Sequence, residues 1–78
     1  MSEPVRRLDP AASEATREAN QGIAEKAVRL RFRARVPFIC ECIDPDCREF
    51  VLLRTDEYER VRAERAFITL PGHDAAAD

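Results

Sequence analysis

Three cysteines lie within eight residues, as Cys40-Glu41-Cys42 followed, after four intervening residues, by Cys47. The only histidine of the chain, His73, follows after twenty-five further intervening residues. No other feature limits the fold as strongly. An odd thiol count does not make a disulfide framework, and buried-thiol packing does not explain a cysteine placed in a turn. Three thiolates and an imidazole are a recognised tetrahedral ligand set for structural zinc. We therefore expect one Zn2+ held by Cys40, Cys42, Cys47 and His73. Asp44 and Asp46 are left to turn chemistry, because three thiolates select a soft ion over calcium. The spacing leaves two alternatives open, an iron–sulfur cluster and a Cys42–Cys47 disulfide.

The need for such a clamp follows from size. With 78 residues the chain is one domain at most. Residues 1–12 and 74–78 hold little large apolar material, and both are expected to be flexible. That leaves 13–73 as a single zinc-binding α+β domain, in a size range where an apolar core alone supplies at most about 3–5 kcal/mol. Metal binding coupled to folding contributes several kcal/mol, up to about 10–16 kcal/mol in small zinc modules.

The local pattern predicts α, β, β, α, β. Asp9-Pro10 offers a helix cap followed by proline at the first helical position, and Ser13 offers a second cap. Ala19, Ile23, Ala27 and Leu30 recur at helical spacing, with Gly22 weakening the middle, so the helix is expected in earnest from Glu18 to about Arg33. Val36, Phe38, Cys40 and Cys42 alternate onto one strand face, with Pro37 marking an edge or strand start. Asp44-Pro45-Asp46-Cys47 fits a type I turn. Arg48–Arg54 reads as a second strand, apolar on both faces and therefore central. Thr55 is expected to cap a short helix that turns Tyr58 and Val61 to the core, and Ala66–Leu70 is expected as a third strand ending at Pro71-Gly72. The fold class is thus a small zinc-stabilised α+β domain: an N-terminal helix, then β-β-α-β with a three-stranded antiparallel sheet.

Composition narrows the function. Hydrophobic residues make up 45% and charged residues 36%, and no apolar run approaches the length of a membrane span. Met1–Arg7 has no apolar stretch behind it, so no secretory leader is expected, and the location expected is the cytoplasm. The net charge of −2 argues against generic nucleic-acid binding. Arg29, Arg31, Arg33 and Arg35 form the densest basic stretch, read first as a solvated helix end and second as a phosphate-contacting patch. There is no glycine-rich phosphate loop and no Ser–His pair, and four ligands leave zinc no open position for water. Glu41 would serve as a base only beside a metal-bound water. The expectation is a non-enzymatic interaction or regulatory module with a protein partner. Its thin helix stripe leaves room for self-association through the N-terminal helix. A thiol-based redox or metal sensor that releases zinc on oxidation is the alternative, and a nucleic-acid module using Arg29–Arg35 the further one.

Several segments carry a resemblance: Arg17–Ile23, Phe38–Cys42, Asp44–Cys47, Tyr58–Arg62, Phe67 and Pro71–Asp74. Over about residues 17–74 the chain resembles uncharacterised small bacterial proteins of the actinobacterial type, with a Cys-Glu-Cys…Cys…Pro-Gly-His pattern. The resemblance implies that the three cysteines and His73 belong to one site, and it implies no activity. Ala63–Ala66 is slightly shorter than the pattern and lacks a usual proline. The chain also stops soon after His73, where similar proteins continue.

Overall fold

The computed structural model describes residues 8–76. Residues 1–7 and 77–78, which hold parts of the two segments expected to be flexible, lie outside that range. Two helices and one hairpin make up the regular structure: α1 (Pro10–Arg29), β1 (Val36–Ile39), β2 (Phe50–Leu53) and α2 (Thr55–Glu64).

α1 starts where Asp9-Pro10 predicts. Asp9 is extended, its carboxylate accepts from the Ala11 N–H at 3.0 Å, and Pro10 needs no donor partner. The helix runs through Gly22 without interruption and so begins eight residues before Glu18. It also stops earlier than Arg33, because Arg31 takes a left-handed conformation (φ 56°). There the Arg31 N–H reaches the Val28 carbonyl and the Phe32 N–H reaches the Ala27 carbonyl, at 3.0 and 2.9 Å. This 5→2 and 6→1 pairing is a Schellman ending, formed here without glycine. The buried stripe is Ser13, Asn20, Ala24 and Ala27, with Ile23 packed at its margin. Ala19 and Leu30, expected inside, are exposed.

β1 and β2 pair antiparallel with Val36 opposite Leu53 and Ile39 opposite Phe50. Val36 and Phe38 turn inward as their alternation predicts, and Cys40 and Cys42 continue the buried face past the end of the strand. Phe38 is fully buried and stacks on Tyr58 of α2, with ring centroids 4.5 Å apart. Burying such a ring stabilises by about 1.5–3 kcal/mol. Ala24, Ala27 and Ile68 complete the core, flanked by Val51, Leu53 and Val61. α2 begins one residue earlier than expected: Thr55 is its first residue, Arg54 holds the cap position, and the Glu57 carboxylate accepts from the Arg54 N–H at 2.9 Å.

The three-stranded sheet is not formed; among the described residues the sheet has two strands. Residues 66–70 lie beside the cysteine segment without a ladder. The Ile68 carbonyl accepts from the Glu41 N–H at 2.8 Å, but the Ile68 N–H goes to the Glu41 side chain at 2.9 Å. The next backbone bond, Ile43 N–H to the Asp74 carbonyl at 2.9 Å, comes six residues later on that side. From 41 to 43 the partner position advances from 68 to 74, so the two segments run in the same direction, and the Leu70–His73 turn breaks the register between them. Without a third strand, β2 is not central. Phe50 and Leu52 are 56% and 58% exposed.

A candidate metal centre

Three local devices deliver the four expected ligands. Cys40-Glu41-Cys42 follows directly on β1, and side-chain alternation continued past the strand sets both thiols toward one side and Glu41 toward the other. The Cys40 sulfur faces His73 while the Glu41 carboxylate faces Arg62. Cys47 is brought back by the Asp44–Cys47 turn. Its N–H donates to the Asp44 carbonyl at 3.1 Å, and the Asp46 N–H donates to the Asp44 carboxylate at 2.9 Å. That is the proline-containing turn with an Asx bond that the residues predict. His73 ends a second turn in which its N–H donates to the Leu70 carbonyl at 3.1 Å. Pro71 and Gly72 occupy the centre, and Gly72 has φ +85°, the value a type II turn requires at its third position.

These devices converge. One donor atom from each of Cys40, Cys42, Cys47 and His73 can be chosen so that all lie within 4.8 Å of one another. The His73 Nδ1 lies 3.5 Å from the Cys40 sulfur and 3.7 Å from the Cys47 sulfur. Around a tetrahedral ion with metal–sulfur and metal–nitrogen bonds of about 2.3 and 2.0–2.1 Å, the sulfur–nitrogen edge is about 3.5–3.6 Å. The two measured edges fit that figure. Closure on an ion asks the wider pairs to contract by about 1 Å.

The surroundings of the sulfurs are mixed. Cys40 and Cys42 are buried, and Cys47 is half-buried. The Leu70 N–H points at the Cys40 sulfur at 3.5 Å. Burial pushes the Cys42 thiol up to about 11, helped by the neighbouring Cys47 and Cys40 thiols and opposed by a bond to Asp44. A bound cation reverses such a preference, since coordination deprotonates the thiol. A cavity of about 240 Å³ opens beside the cluster, with Leu8, Cys42, Ile43, Asp44, Gly72, His73 and Asp74 on its walls.

Glu41 is placed differently from a base beside metal-bound water. It is fully buried, and donors occupy both of its oxygens. Arg62 of α2 grips it with two nitrogens, 2.8 Å to Oε1 and 2.6 Å to Oε2. Asn20 of α1 donates to Oε2 at 2.7 Å, and the Ile68 N–H donates to Oε1 at 2.9 Å. Asn20, also fully buried, spans to β1: its Nδ2 donates to the Ile39 carbonyl at 2.8 Å and its Oδ1 accepts from the Ile39 N–H at 2.9 Å. Arg62 lies over the Tyr58 ring, donates to its hydroxyl at 3.1 Å and donates to the Ala66 carbonyl at 2.9 Å. Glu41 holds this guanidinium above its already high ordinary pKa. The Asn20–Glu41–Arg62 network is not among the sites expected from the sequence. Its one legible signal was a charged residue between two cysteines on a buried strand face.

The basic stretch is divided by the end of α1. Arg29 is the last helical residue, Arg31 is the left-handed one, Arg33 and Arg35 lie in the connection to β1, and all four are exposed. Among the described residues no helix is long and apolar enough to cross a membrane. No protein-family model, no curated protein and no solved structure matches this chain.

Proposed function

We propose that the chain is a small cytoplasmic zinc-binding protein that acts as a non-enzymatic interaction or regulatory module. The observation that carries this reading is the convergence of three thiols and one imidazole within 4.8 Å. Soft sulfur donors favour zinc over magnesium or calcium, and sulfur–nitrogen edges of 3.5 and 3.7 Å suit a tetrahedron. Four protein donors fill that shell, which supports a structural ion over a catalytic one. The engagement of Glu41 with Arg62, Asn20 and Ile68 supports the same choice, because a base beside the metal would need a free oxygen. Three unpaired thiols suit a reducing compartment.

Elemental analysis with native mass spectrometry tests the proposal. One zinc per chain is expected in the parent. Cys40→Ser and Cys47→Ser should lose it and the folding of the C-terminal half. His73→Ala should keep zinc more weakly and release it at less acidic pH, since three thiolates hold the ion against protons with less help. Protein with no stoichiometric metal and three freely titrating thiols would sink the reading.

The half-buried Cys47 supports a second reading, a thiol sensor, because it gives oxidants a route to the cluster. Zinc release at low peroxide would favour that role; release only on denaturation would leave the structural one.

A further inference from the structure

The geometry points to Glu41 and Arg62 as positioning residues of the metal centre, which set its affinity by holding both ligand-bearing segments in register. This rests on the metal-site reading above. Glu41 sits between Cys40 and Cys42, so wherever its carboxylate is fixed, the two flanking thiols are fixed on the opposite side of the chain. Four donors from three other parts of the fold fix it: two nitrogens of Arg62 on α2, Nδ2 of Asn20 on α1, and the Ile68 N–H. The last of these ties the same carboxylate to the segment that carries His73. Residues 41 and 68 are joined twice, by Glu41 N–H to the Ile68 carbonyl and by Ile68 N–H to Glu41 Oε1. Arg62 adds a third tie through the Ala66 carbonyl.

Chain connectivity alone does not bring His73 to the cysteines. It follows α2 on a segment with no helix or strand of its own, and the missing ladder leaves two backbone bonds, at Ile68 and Asp74, to align it with residues 41–43. The Leu70 N–H on the Cys40 sulfur adds a long contact, and the Glu41 carboxylate adds the shorter bond from the Ile68 N–H at 2.9 Å. A buried ion pair is weak evidence for stability, because well-packed apolar replacements often preserve the fold. It is stronger evidence for registry, and registry is what four ligands on two segments require.

The test separates registry from stability. Glu41→Met with Arg62→Met removes both charges together and keeps the volume apolar. Zinc affinity is measured by competition with a chromogenic chelator, and coordination by the visible spectrum of the Co(II)-loaded protein. Helix content is followed by circular dichroism. We expect parent-like helix content, zinc affinity lower by about 10–100-fold, and weakened tetrahedral Co(II) bands. His73→Ala should weaken binding in the parent and add little in the double variant, since His73 is already out of register there. Should the double variant fail to fold, Arg62→Lys keeps a charge that cannot span two oxygens and the Ala66 carbonyl. It should still bind about 10-fold more weakly than the parent. Parent affinity and parent Co(II) bands in the folded double variant, or in Arg62→Lys, overturn the inference. So does a His73→Ala effect of equal size in both backgrounds. A parent chain that takes up neither Zn(II) nor Co(II) overturns the metal-site reading itself, a result distinct from either.

Discussion

Arg31 carries the least comfortable described backbone outside glycine, with φ 56° at the position where helices most often end on glycine. Its side chain is exposed, so replacing it removes no buried contact. Arg31→Gly should therefore stabilise the protein by about 1 kcal/mol, read from the denaturant midpoint at unchanged slope. No gain would mean that the arginine side chain offsets the strain. Gly72 is the converse case. A Cβ there would meet nothing within 4 Å, so Gly72→Ala is opposed by φ +85° alone. Its effect should fall on the aim of His73 and appear as weaker zinc retention.

Cys42 sets a pH dependence. Its folded, metal-free pKa is about 11 against an ordinary 9.0. The neutral thiol is thus the favoured form, and the stability it lends the metal-free fold is complete below pH 9 and lost as pH rises through about 11. Metal must displace that proton, so loading should release protons and tighten as pH rises through the neutral range. Calorimetry in buffers of different ionisation enthalpy reads this directly, and a buffer-independent heat would refute it.

Among the elements, α1 offers the clearest contrast between neighbouring positions. Gly22 is exposed, a methyl added there would meet nothing within 4 Å, and Gly22→Ala should stabilise by about 0.5–1 kcal/mol. Ile23 packs against Ala24, Ala27 and their partners, so Ile23→Glu should destabilise by about 1–3 kcal/mol. Thermal melts of the two variants should move in opposite directions. The Asp44–Cys47 turn was readable from its own residues, because its bonds are made within four positions. The Ala66–Leu70 segment was not, because the donor that a strand would give to a neighbouring backbone goes to the Glu41 side chain instead.

For the molecule as a whole, the candidate metal centre sits where the cysteine loop meets the C-terminal segment, neither of them helix or strand. The Asp9 N–H donates to the Ile43 carbonyl at 2.7 Å, the Ile43 N–H to the Asp74 carbonyl, and the Ala76 N–H to the Ser13 hydroxyl at 3.2 Å. These bonds join the start of α1, the cysteine loop and the C-terminal segment, while the apolar core lies around Phe38 and Tyr58. Chelation should then loosen the molecule unevenly. Hydrogen exchange is expected to speed at Leu70 and His73 well before it does at Ala24 and Ala27. Uniform loss of protection across α1 and residues 68–76 would show that core and metal centre are one cooperative unit.

Residue types and short spacings alone determined the ligand candidates, the cap of α1, both turns that present Cys47 and His73, and the inward face of Val36 and Phe38. Each depends on atoms only a few positions apart, so the cause is contained in the segment itself. Tertiary structure decided which helical stripe is buried, how many strands pair, and where Glu41 points. Asn20, Glu41 and Arg62 are separated by 21 residues at each step, and each alone reads as an ordinary polar surface residue. They become interior only because each satisfies the others. The partners of a buried carboxylate have no local signature, since they are donors brought from elsewhere in the chain.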